Sequence, residues 1–154
     1  MLSLLPFIPM AYFGIRLSVI DFKTHRLPNQ MVGWFALIEL VVMSVLSVGG
    51  PYLDQMANAL AIAVATTTSY LLLYFLSQGS LGMGDVKFAF PLGLCVGWYS
   101  TNEWLLAIFI SFLLAGLIAV IGLASEQMTR KSRLAFGPFM FVGTLIVCVF
   151  AVLN

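Results

Sequence analysis

The sequence predicts an all-α, polytopic membrane protein. Apolar residues make up 62% of the 154-residue chain and charged residues only 8%, whereas about 25% of the residues of a soluble domain are charged. The mean hydropathy is +1.07. The long apolar runs lack the alternation of apolar and polar residues that a membrane β-barrel needs. Because a helix satisfies its own backbone hydrogen bonds in lipid, we expect a bundle of about six transmembrane helices in one domain, residues 1–154.

Six apolar runs define the predicted helices, since a spanning helix needs roughly 17 to 20 such residues. They cover residues 2–20, 31–48, 57–76, 86–99, 103–124 and 137–153. The first run has no basic start and no clear small-residue cleavage site, so we interpret it as a retained helix and not as a signal peptide. The fourth run is about 21 Å long, against roughly 30 Å of hydrocarbon. We therefore expect it to begin below the membrane surface.

The basic residues predict the orientation of the chain. Apart from Arg16, all of them lie in or beside the first, third and fifth loops: Lys23, Arg26, Lys87, Arg130, Lys131 and Arg133. The second and fourth loops contain no Lys or Arg. By the positive-inside rule the odd-numbered loops are cytoplasmic, and both termini lie on the extracytoplasmic side.

Two aspartates lie at the ends of apolar runs on this predicted cytoplasmic side. Asp21 follows the first run, and Asp85 precedes the fourth. Two carboxylates held close together cannot both ionise easily, so they share a proton and titrate as a unit. The ionised one can then take a proton from water. The pattern predicts a water-activating pair.

Each aspartate also has a structural interpretation. Asp85 can cap the helix that follows it, where its charge suits the positive end of the helix dipole. Asp21 can be a solvated loop residue, although the dipole at the end of its own helix disfavours an anion. The placement of both on one face favours the catalytic interpretation.

The residues around Asp85 suggest how the site is shaped. Gly82 and Gly84 lack Cβ, so the backbone can take a positive φ or come close to another segment. A flexible turn is the alternative. Lys87 can act on the aspartates or on a substrate, or it can extend to the headgroups as a membrane anchor.

These motifs resemble those of the type IV prepilin peptidases, which are membrane aspartic proteases. Residues 82–87, Gly-Met-Gly-Asp-Val-Lys, look like the family signature GxGDxK. Asp21 followed by residues 26–29, Arg-Leu-Pro-Asn, is similar to the other aspartate motif of the family. Residues 136–139, Phe-Gly-Pro-Phe, are similar to a third stretch, with Ala135 where the family often has Pro.

The resemblance implies a function. It implies that Asp21 and Asp85 are catalytic, with Gly82, Gly84 and Lys87 shaping the site, and that neither a metal nor another cofactor takes part. The expected substrates are the basic leaders of prepilin or pseudopilin precursors, which belong to type IV pili or protein secretion. Cleavage is expected at the cytoplasmic face of the bacterial inner membrane. The bilayer is the other expected partner, nucleic acid is not one, and the oligomeric state stays open.

The sequence also departs from the long members of this family. Those members have an N-terminal cytoplasmic domain with paired CxxC motifs, which these residues do not contain. The resemblance therefore supports leader cleavage and leaves methylation of the new N-terminus open. The two cysteines, Cys95 and Cys148, lie inside apolar runs without CxxC spacing. We expect both to be small core residues.

Two other functions are compatible with a small bundle that contains carboxylates. A proton-coupled transporter or ion-conducting subunit would use Glu39, near the middle of the second run, where a charge is costly. No inverted internal repeat supports this alternative, and we expect Glu39 to be neutral and hydrogen-bonded in the core. In a structural, catalytically inactive membrane subunit the aspartates would be incidental.

Overall fold

The computed structural model describes residues 2–48, 50–78, 81–126 and 134–153. Within these ranges the chain forms helices and no strand, which confirms the predicted all-α class. A short 3₁₀ helix, Leu2–Leu4, comes first. The α-helices are α1 (Phe7–Thr24), α2 (Asn29–Ser47), α3 (Leu53–Leu76), α4 (Met83–Tyr99), α5 (Trp104–Ala124) and α6 (Gly137–Leu153). The predicted basic cluster of Arg130, Lys131 and Arg133 lies outside the described residues.

The lengths and compositions of the helices fit a membrane protein. In the described part of the chain, α2, α3 and α5 are each long and apolar enough to cross a bilayer, and α6 is a shorter apolar helix of 17 residues. Large apolar side chains such as Leu105, Phe109 and Leu113 project from α5. This apolar outer surface suits contact with lipid, and the chain is a polytopic membrane protein.

The first helix lies further along the chain than the sequence predicted. It begins at Phe7, after a turn that ends at Pro6, and it continues to Thr24. It ends where His25 takes a left-handed conformation with φ 50°, and the His25 N–H donates to the carbonyl oxygen of Asp21 at 2.7 Å. Asp21 therefore lies in the last turn of α1 and not in the loop beyond it.

The fourth helix begins earlier than predicted, at Met83. Gly82 is the residue that caps it, so Asp85 occupies the third helical position instead of the cap. With 17 residues α4 is about 25 Å long, still shorter than the hydrocarbon thickness.

The short helix α4 is the centre of the bundle. It packs against each of the other five helices. Its buried residues cover all sides of the helix, from Asp85 near its start to Trp98 near its end, which is the pattern of a helix enclosed by protein. Because neighbouring helices surround α4, it does not have to match the bilayer thickness by itself.

Close packing of α3 against α4 depends on small residues on both helices. A Cβ atom at Gly93 would lie 2.7 Å from Cα of Ala63, and one at Gly97 would lie 2.7 Å from Cα of Ala59. Each helix thus has two small residues four positions apart, the pattern that lets membrane helices approach closely.

At one end of the bundle, the start of α1 contacts the end of α4. The indole Nε1 of Trp98 donates to the carbonyl oxygen of Ser3 at 3.2 Å. The rings of Phe7 and Tyr99 lie 4.5 Å apart. Since α1 and α4 run in opposite directions, the end of α1 and the start of α4 share the other end of the bundle.

Glu39 lies in the core, as predicted. It is fully buried on α2, and its Oε1 accepts a hydrogen bond from the thiol of Cys95 at 3.4 Å. Cys95 and Cys148 are buried and free, which confirms their predicted core location.

We expect the variant Gly97→Val to be less stable than the wild type by about 1–3 kcal/mol, because the larger side chain forces α3 away from α4. The thermal unfolding temperature in detergent measures this loss. Gly33→Val is the matched control, since a Cβ at Gly33 meets nothing within 4 Å. Equal unfolding temperatures for the two variants would contradict the packing described here.

Candidate active site

Asp21 and Asp85 lie at the same end of the bundle. Asp21 is in the last turn of α1 and Asp85 in the first turn of α4. Only 5% of the Asp21 surface and 8% of the Asp85 surface are exposed. The charge of Asp21 acts electrostatically on Asp85. The fold thus brings together the two aspartates that the sequence singled out.

Each of the two carboxylates accepts a hydrogen bond from a different backbone N–H group. Oδ2 of Asp85 accepts a hydrogen bond from the N–H of Gly82 at 3.0 Å. Oδ2 of Asp21 accepts one from the N–H of Gly137 at 2.9 Å. Among the described residues neither Oδ1 atom has a donor. Each carboxyl group is therefore oriented through one oxygen, while the other has no protein donor among the described residues.

The contact with Gly82 shows that Asp85 also has the structural role that the sequence suggested. From the third helical position its side chain reaches back to the backbone N–H of the capping residue. This arrangement satisfies a donor that the helix itself leaves unpaired. Capping α4 and pairing with Asp21 are compatible roles for one carboxyl group.

The two glycines before Asp85 lie in tight surroundings. Gly82 has φ −75°, in the extended region, so the expected use of a positive φ is wrong at this position. A Cβ at Gly82 would lie 3.0 Å from Oδ2 of Asp85, and a Cβ at Gly84 would lie 3.2 Å from Cβ of Leu27. Glycine at both positions allows the start of α4 to approach the carboxylate and the α1–α2 turn.

Lys87 joins the start of α4 to the start of α2. Its Nζ donates to Oδ1 of Asn29 at 3.0 Å. Beside this bond, Leu27 is buried against Gly84. The turn that follows Asp21 is thus attached to the helix turn that contains Asp85. The sequence marked Lys87 and the Pro-Asn turn separately, but it did not indicate that they meet.

Gly137 is a contact of Asp21 that the sequence did not predict. It is the first residue of α6, 116 positions from the aspartate that it contacts. The signal in the sequence was the stretch Phe-Gly-Pro-Phe, which resembles a family motif but did not indicate a contact with Asp21. In the described part of the chain no cluster of three or more His, Cys, Asp or Glu side chains is arranged to hold a metal ion.

The chain matches a protein family. A model of the type IV leader peptidase family matches residues 8–120, a range that includes both aspartates. The match ends within α5, so it does not include the 136–139 stretch. Comparison with curated proteins and with solved structures gives no match.

We expect the double variant Leu27→Cys/Gly84→Cys to form a disulfide on mild oxidation in the membrane. The 3.2 Å between the Cβ positions is close to the 3.5–4.5 Å of natural disulfides and needs only a small shift. Mass spectrometry and the loss of two titratable thiols in denaturant measure the product. The pair Leu27→Cys/Gly33→Cys is the control, because Gly33 faces open space. Equal cross-linking of the two pairs would show that the turn does not pack on α4.

Proposed function

The chain belongs to the type IV leader peptidase family, and we propose that it is a membrane aspartic endopeptidase with Asp21 and Asp85 as its catalytic pair. The observation that supports this most strongly is that two nearly buried carboxyl groups lie at the same end of the bundle, one in the last turn of α1 and one in the first turn of α4. Acidic groups enclosed within a membrane bundle are costly and are usually kept for function.

The proposed reaction is hydrolysis without a covalent intermediate. The ionised carboxylate takes a proton from a water molecule, whose oxygen forms a bond to the scissile carbonyl carbon. The protonated carboxyl group donates its proton to the carbonyl oxygen. When the tetrahedral intermediate collapses, the carboxyl group that took the proton from water gives it to the amide nitrogen. The other carboxylate takes back a proton from a hydroxyl of the intermediate, so the carbonyl re-forms, the C–N bond breaks and the amine leaves. Either aspartate can be the base in this scheme.

The arrangement of the site favours this chemistry. The hydrogen bonds from Gly82 and Gly137 orient the two carboxyl groups before substrate arrives. Two like charges in a poorly hydrated place disfavour the doubly ionised form, so the pair retains one proton. One acid and one base are then present together, as the reaction requires.

The substrate that we propose is the precursor of a type IV prepilin or pseudopilin, cleaved after its basic leader. The exposed basic residues Lys23, Arg26 and Lys87 lie at the same end of the bundle as the aspartates. The acidic residues Asp54 and Glu103 lie where α3 and α5 begin, at the opposite end. By the positive-inside rule this distribution supports a cytoplasmic active site in the bacterial inner membrane.

The transporter alternative has less support. It needs Glu39 to exchange protons with water, but Glu39 has no exposed surface and its Oε1 is bonded to Cys95. The alternative of an inactive structural subunit would leave the coupling of Asp21 and Asp85 without a use. Methylation of the cleaved N-terminus is not part of this proposal.

A direct assay tests the proposed function. The purified chain in lipid nanodiscs is incubated with a synthetic precursor that contains a basic leader and an apolar segment. Mass spectrometry should find a product shortened at one bond, with a new N-terminus. An intact precursor after prolonged incubation, with correctly folded protein, would contradict the proposal.

We predict that Asp21→Asn and Asp85→Asn each lower the cleavage rate by at least about 10³-fold, since each removes half of the acid–base pair. Both variants should still insert and fold, because an amide fits the same space and can still accept the backbone N–H. Asp54→Asn is the matched control, as it makes the same change at an exposed acid on the opposite end. Full activity of either Asp21→Asn or Asp85→Asn would exclude the pair.

A further inference from the structure

We infer that Gly137 is a positioning residue, and that the start of α6 is a third component of the active site, which holds Asp21 in place beside Asp85. The inference rests on the proposed function for its catalytic consequence. The contact itself is a buried hydrogen bond between α6 and α1. It adds α6 to the site. This helix lies wholly outside residues 8–120, the range that the family model matches.

The local sequence directs a single donor at Asp21. At the second position of α6, Pro138 has no N–H. The N–H of Phe139, at the third position, donates to the carbonyl oxygen of Phe136 at 3.1 Å. Gly137 is therefore the one residue of these first three helical positions whose N–H is free to point out of the helix, and it donates to Asp21 at 2.9 Å.

Glycine at position 137 leaves room for this contact. A Cβ atom at position 137 would lie 2.9 Å from Oδ2 of Asp21 and 3.3 Å from its Cγ. Gly14, two turns earlier in α1, packs directly on the ring of Phe141 in α6, so the two helices are in close contact here. We expect a side chain at position 137 to push the carboxylate aside and weaken the hydrogen bond.

Aromatic packing fixes the start of α6. The ring of Phe136 lies 4.7 Å from that of Phe112 in α5 and 6.2 Å from that of Tyr70 in α3. Tyr70 and Phe112 also stack on each other at 6.0 Å. The residue that precedes Gly137 is thus held by two further helices, so the donor has a fixed direction.

The contact also solves an electrostatic problem for Asp21. The dipole of α1 disfavours an anion in its last turn, but the first turn of α6 presents its positive end to the same carboxylate. A hydrogen bond from a backbone N–H favours the charged form of a carboxyl group. The start of α6 therefore both orients Asp21 and helps it to exist as a carboxylate.

The variant Gly137→Ala, in the full chain, tests the inference. We expect kcat to fall about 100-fold, as for a catalytic group displaced by about 1 Å, while KM for the same synthetic precursor stays unchanged. Gly116→Ala is the control, because a Cβ at Gly116 in α5 would meet nothing within 4 Å, and it should keep its kcat. An unchanged kcat in Gly137→Ala, or equal losses in both variants, would overturn the inference.

A second measurement does not depend on activity. A hydrophobic carbodiimide modifies protonated carboxyl groups in membrane proteins, and mass spectrometry locates the adduct. Asp21 should react faster in Gly137→Ala than in the wild type at the same pH. If the wild type cleaves no precursor but Asp21 is labelled faster in Gly137→Ala, the proposed function is refuted and the contact between Gly137 and Asp21 is supported. Unchanged labelling would overturn the inference.

If Gly137→Ala does not fold, Phe136→Leu replaces it in both measurements. This variant loosens the aromatic anchor without adding atoms beside Asp21. We expect a several-fold loss in kcat at constant KM and faster labelling of Asp21. Wild-type values for both quantities would overturn the inference.

Discussion

The enclosure of α4 by the other five helices is the constraint on which the rest of the structure depends. It is possible because Gly93 and Gly97 let the backbone of α3 come almost into contact with that of α4. A helix enclosed in this way need not be as long as the bilayer is thick, and its first turn can lie among protein side chains instead of lipid. Asp85 belongs to that first turn, so close helix packing determines where one half of the proposed site lies.

Three helix ends then converge on two carboxyl groups. Asp85 lies at the start of its own helix, and Asp21 faces the start of α6. Both positions are near the positive ends of helix dipoles, which lowers the cost of keeping acidic groups almost out of contact with water. The same arrangement leaves one oxygen of each group without a protein donor among the described residues. Stability and the proposed chemistry therefore use different atoms of the same side chains.

The residues around the aspartates connect motifs that are far apart in the sequence. Lys87 bonds to Asn29, and Gly84 packs on Leu27, so the turn after Asp21 is attached to the helix turn of Asp85. These four residues do not have to take part in the reaction, because their contribution is to hold the two segments together. The proposed reaction needs the two carboxyl groups at one fixed separation, which contacts between the flanking segments would provide.

The sequence by itself determined the all-α membrane class, because only helices and closed barrels satisfy the backbone in hydrocarbon and no barrel alternation is present. It also placed Asp21 and Asp85 on one face, since the basic loop residues follow the topology of the chain. Helix ends were less predictable: α1 extends past Asp21 until His25 turns left-handed, and α4 starts before Asp85. Only the tertiary structure decided that Gly137 donates to Asp21 and that Lys87 reaches Asn29. Those bonds depend on how helices pack across the bundle, and local composition and periodicity do not specify that geometry.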